Sequence, residues 1–80
     1  VYAGQGKIEL ALADMERALE IDPDLLEALA AAGFLQVDLK RWADAERSLE
    51  RALKIAPQEW PYRPALEGQL RQVKRRLRKG

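Results

Sequence analysis

Eighty residues, 48% hydrophobic and 34% charged with a net charge of +1, describe one small globular domain whose core must be thin. With no Cys and no His, disulfides, thiolate and imidazole metal sites, and the commonest general base are all excluded. No apolar run nears the ~18 residues of a membrane span and no basic-then-apolar leader opens the sequence. The expectation is therefore a chain without a membrane span, cytoplasmic by default.

In chain order, the first four residues read as the end of a helix, and Gln5-Gly6-Lys7 as a tight turn in which Gly supplies a positive φ. Ile8, Ala11, Leu12, Met15, Ala18 and Leu19 then recur at helical spacing, which predicts a helix over 7–20. Asp22-Pro23 predicts the next start, with Asp as N-cap and Pro in the first turn, and Asp24 and Glu27 suit its positive dipole end. Residues 24–38 are Ala/Leu-rich around most of the circumference, so that helix needs cover on more than one side. Lys40 stands where the first turn has Gly6, at a cost of about 1 kcal/mol if its φ is positive. Trp42, Ala45, Leu49, Ala52 and Leu53 predict a helix over 41–55. Pro61 and Pro64 make Gln58–Arg63 a bent connector. Leu66, Leu70, Val73 and Leu77 then stripe a helix over 64–78.

Charge is segregated along this series. Residues 1–62 hold seven Lys/Arg against twelve Asp/Glu, whereas residues 63–80 hold seven against Glu67 alone.

A shift of 34 residues superposes Ile21 and Pro23 on Ile55 and Pro57. It also pairs Ala11, Glu16, Arg17, Ala18 and Leu19 with Ala45, Glu50, Arg51, Ala52 and Leu53. Seven of 23 aligned positions are identical, where chance would give roughly two. Both the period and the residues resemble the tetratricopeptide repeat (TPR), whose 34-residue unit carries the pattern W-x2-L-G-x2-Y, A-x3-F and P. The second unit reads Leu29-x2-Ala32-Gly33-x2-Gln36, then Ala45-x3-Leu49, Ala52 and Pro57. Gly33, Ala45, Ala52 and Pro57 match, and Leu29, Ala32, Gln36 and Leu49 are departures. The first unit keeps Tyr2, Ala11-x3-Met15, Ala18 and Pro23.

The resemblance implies an all-α fold, an antiparallel helix-pair solenoid (a TPR-like superhelix) with a C-terminal capping helix. Residues 1–23 would be the C-terminal part of a first TPR unit, 24–59 a complete unit, and 60–80 a connector and basic capping helix. Such a chain reads as a fragment of a longer repeat array.

The family implies a non-catalytic protein–protein interaction module that holds a peptide or partner helix in its concave groove. Carried onto this sequence, the groove positions are Glu27, Ala30, Phe34, Val37 and Asp38, an apolar floor with acidic edges. Ala30 and Phe34 stand where some relatives place the Lys and Asn that clamp a C-terminal carboxylate, so an amphipathic partner with basic flanks fits better. The alternative partner is an anion, a nucleic acid or acidic membrane surface, held by Arg71, Lys74, Arg75 and Arg78. Residues 63–80 contain no aromatic for base stacking, which makes nucleic acid the weaker partner. Because the first helix would lack its full partner, Ile8, Leu12 and Met15 are expected to drive self-association into a homo-oligomer. No catalytic site, metal or cofactor is expected. Ser48 is the only serine and has no His to activate it, Gly4-Gln5-Gly6 lacks a third glycine, and the carboxylates fall on helix faces beside Lys and Arg.

Overall fold

The computed structural model describes the backbone of residues 2–79 and the side chains of residues 6–78. The side chains of Tyr2 and Lys79 lie outside that range. Four helices follow one another: α1 (Tyr2–Ile21), α2 (Leu26–Asp38), α3 (Trp42–Ile55) and α4 (Arg63–Lys79). Each packs on the next, and α2 also touches α4. The short links between them make successive helices antiparallel. The slab measures 37 × 34 × 19 Å, its thin dimension about two helix diameters.

Two expected boundaries move. The turn at Gln5-Gly6-Lys7 is absent: α1 runs straight through it, and no described Gly has a positive φ. Continuing the i→i−4 ladder keeps the backbone groups of this segment paired, where a reversal would have to satisfy them by other means. At the other end of α1, Asp22 accepts a hydrogen bond from the Asp24 amide at 3.2 Å. That local bond caps a turn rather than a helix, since the Leu25 N–H returns to the Asp22 carbonyl and α2 starts at Leu26.

The α2–α3 turn forms as its sequence implies. Lys40 has φ 60°, the only positive φ among described non-glycine residues. Its N–H donates to the Val37 carbonyl and the Arg41 N–H to the Gln36 carbonyl, the paired bonds of a Schellman ending.

The core lies where α2, α3 and α4 meet: Leu29, Ala30, Ala45, Leu49, Ala52, Leu66 and Val73. Ala45, Leu49 and Ala52 are 0% exposed. Small residues set the spacing. A Cβ on Gly33 would lie 2.7 Å from Leu49 Cδ2, so α2 and α3 touch at the glycine itself. Gln36, the departure from the pattern's Tyr, is buried between the same helices. With its amide nitrogen turned inward, its two N–H groups are shared among three acceptors, the Asp44 carbonyl at 3.0 Å, Ser48 Oγ at 2.7 Å and the Ala32 carbonyl at 3.2 Å. The polar departure is thereby satisfied rather than stranded.

Candidate functional site

The exposed rim of α2 carries two of the five groove residues. Glu27 and Asp38 stand in solvent near opposite ends of the helix, about 16 Å apart at 1.5 Å per residue. Phe34 and Val37 are half-buried and pack against the central core while keeping an open edge. Ala30 is only 7% exposed and belongs to the core itself. Its small side chain lets the neighbouring helix approach, so the apolar surface left to a ligand narrows to Phe34 and Val37.

The basic helix α4 spends several of its cations inside the fold. Arg63 Nη1 donates to the Leu53 and Ala56 carbonyls at 3.0 and 2.9 Å, closing the end of α3 where no glycine ends the helix. Its Nε lies 3.5 Å from Glu67. Lys74 pairs with Glu50 of α3 at 3.1 Å, and Arg76 sits 5.4 Å above the Trp42 ring. Of the four cations expected to meet an anion, Lys74 is therefore already paired. Arg71, Arg75 and Arg78 are exposed, and none enters an ion pair among the described residues.

Carboxylates expected to pair along their own helices mostly reach across instead. Glu9 meets Arg41 at 3.2 Å, Asp24 meets Arg51 at 3.3 Å and Glu50 meets Lys74. Among the described residues Asp44–Arg47 and Glu67–Arg63 pair within one helix, at i,i+3 and i,i+4. Ser48, the single hydroxyl weighed as a nucleophile, is committed to Gln36.

The self-association stripe is only partly open. Leu12 is 2% exposed, buried inside the chain, while Ile8 and Met15 are half-buried. The expected exposure of Leu12 is thus corrected: α1 lies on α2, and Leu12 faces inward from that contact. The uncovered apolar side chains of α1 are Leu10 and Ile21, at 70% and 85% exposure. Sequence reasoning missed both: Leu10 lies off the apolar stripe, and Ile21 stood only as a repeated position paired with Ile55.

The connector resolves its two aromatics differently. Trp60 packs on the core and meets Tyr62 edge-to-face with centroids 5.5 Å apart, and Tyr62 remains exposed.

Consecutive antiparallel helices at a 34-residue period, joined at a glycine contact, define a helical-repeat scaffold. The chain belongs to the tetratricopeptide repeat family, whose model matches residues 2–70. That family generally mediates protein–protein interaction and is typically non-catalytic. No curated protein and no solved structure matches the chain.

Proposed function

We propose that the chain is an interaction module that holds an amphipathic peptide or partner helix against the open face of α2. In this reading residues 1–23 end one repeat, 24–59 form a complete one, and 60–80 connect and cap. Supporting it is the half-burial of Phe34 and Val37, apolar side chains that pack on the core yet keep an open edge between the carboxylates of Glu27 and Asp38. An apolar strip with acidic ends suits a helix with an apolar stripe and basic flanks, and α2 presents that strip on a formed helix. The test is titration of a fluorescent amphipathic peptide with lysine flanks. Phe34→Ala should weaken binding by ~1–3 kcal/mol while far-ultraviolet circular dichroism stays helical. Unchanged affinity together with a lower melting temperature makes Phe34 a core residue and removes the reading.

A further inference from the structure

The buried stripe of α4 leaves a second stripe on its far side. Leu66 and Val73 are 0% exposed, and across the helix from them Arg71, Arg75 and Arg78 recur at i, i+4 and i+7. These three guanidinium groups stand in solvent along about 10 Å of helix and enter no ion pair among the described residues. Gly68 and Gln72 are the residues beside them, so the ridge offers no apolar surface on which a further helix would stack. Along one edge of the ridge a shallow groove of about 410 Å³ opens between α3 and α4, lined by Leu53, Glu67, Leu70, Arg71 and Lys74. Its floor is Leu53 and Leu70, both half-buried. The carboxylates at the groove already have cations: Arg63 lies 3.5 Å from Glu67, and Lys74 lies 3.1 Å from Glu50. Glu46 and Lys54, one turn to either side of Glu50 on α3, carry opposite charges and offset each other.

We propose that this ridge and groove dock an acidic peptide that carries one large apolar side chain. Its carboxylates meet Arg71, Arg75 and Arg78, and the apolar side chain lies in the groove on Leu53 and Leu70. Three guanidinium groups without partners leave a local excess of positive charge, and each presents a planar fork that matches a carboxylate. The apolar floor beside them selects a peptide over a plain polyanion, because only a peptide brings both chemistries. Neither the ridge nor the groove lining holds an aromatic side chain on which a base could stack, which weighs against nucleic acid. Nothing on the ridge is apolar enough to enter a bilayer. The site takes no residue from α2, so it goes beyond the α2 reading and does not rest on it. With both faces occupied, one chain would bridge a basic partner and an acidic one.

Fluorescence anisotropy of a labelled Glu-rich peptide with one central Phe, titrated with the 80-residue chain, tests this. Arg71→Glu/Arg75→Glu should weaken binding by about tenfold or more, and replacing the peptide's Phe by Ser should also weaken it about tenfold. Lys7→Glu/Arg17→Glu changes the net charge equally at exposed, unpaired positions of α1 and should leave the affinity within about twofold. Binding of a lysine-flanked peptide should not respond to Arg71→Glu/Arg75→Glu, which keeps this site separate from the α2 face. Arg71→Gln/Arg75→Gln replaces the charge reversal if that variant loses its helical spectrum. Equal weakening by Lys7→Glu/Arg17→Glu reduces the effect to net charge and overturns the proposal. So does a Ser peptide that binds as tightly as the Phe peptide, since the groove then has no part. A single-stranded RNA oligonucleotide or a phosphatidylserine vesicle that binds the ridge more tightly than the peptide also overturns it, as does no peptide binding at millimolar chain.

Discussion

At the scale of single residues, two positions test the α2–α3 joint from opposite directions. Lys40 holds a left-handed conformation that costs an L-residue ~1–2 kcal/mol. Lys40→Gly removes that strain and gives back part of it as chain entropy, so stability should rise by about 0.5–1 kcal/mol in urea unfolding. Gly33→Ala would improve helix propensity by about 1 kcal/mol. Its Cβ, however, meets Leu49, a side chain at 0% exposure with no room to retreat. Overpacking at ~1–3 kcal/mol wins, and the variant should lose about 1 kcal/mol net. The same urea series gives the reading, and a stabilised Gly33→Ala means the helices are further apart than described. The joint is legible in the sequence alone. The period, Gly33 and the small pair Ala45 and Ala52 all follow from the chain's own self-similarity. Gln36 was legible only as a departure, because its partners Ser48 and the Asp44 carbonyl come together through tertiary packing.

At the scale of elements, what the sequence encodes locally arrived and what it encodes through partners did not. The α2 ending needs only its own backbone bonds, and the structure keeps it where Lys40 suggests. The turn at Gln5-Gly6-Lys7 would need a second packed helix, and α1 continues instead. Asp22-Pro23 marks a chain reversal correctly but not the first residue of α2, since its Asx bond is satisfied equally well by a turn. The α3 ending was invisible in the sequence: Arg63 counted as one more cation of a basic tail, and its neighbours gave no sign that it faces the Leu53 and Ala56 carbonyls. Hydrogen bonds to a charged group contribute about 1.5–3 kcal/mol. Arg63→Ala should therefore cost that much by thermal or urea unfolding, and Arg63→Lys should recover only part, because a single ammonium cannot reproduce the planar fork. An Arg63→Ala variant as stable as the parent would show that solvent serves the two carbonyls equally well. Ala45→Leu tests the same pair from the other side of the joint. It should cost ~1–3 kcal/mol by overpacking against α2.

At the scale of the whole molecule, α1 and α4 differ in how they are held. α1 packs on α2 alone among the described helices, with Leu12 and Leu19 turned inward, and its Glu9 pairs with Arg41 at the N-cap of α3, an exposed pair that contributes ~0–1 kcal/mol. The candidate ligand face sits between these ends, on α2, the helix with the most neighbours. Which of its residues were reachable could not be read from spacing, because Ala30 and Phe34 share a stripe yet one is sealed and the other open at an edge. A peptide with basic flanks should bind that face less tightly as salt rises, since Glu27 and Asp38 are exposed and screened within a Debye length of ~8 Å. Affinity independent of salt would leave the acidic ends without a part in binding. Arg63 carries a wider implication than the end of one helix. It belongs to α4 while satisfying carbonyls of the last turn of α3, and Lys74 and Arg76 tie the same two helices at Glu50 and Trp42. Release of α4 would strand the final turn of α3, so the two should open to solvent as one cooperative unit while α1 opens independently. Amide hydrogen exchange should then give α1 the fastest rates and matched, slower rates to α4 and residues 52–56, and Arg63→Ala should split that match, with α4 exchanging first.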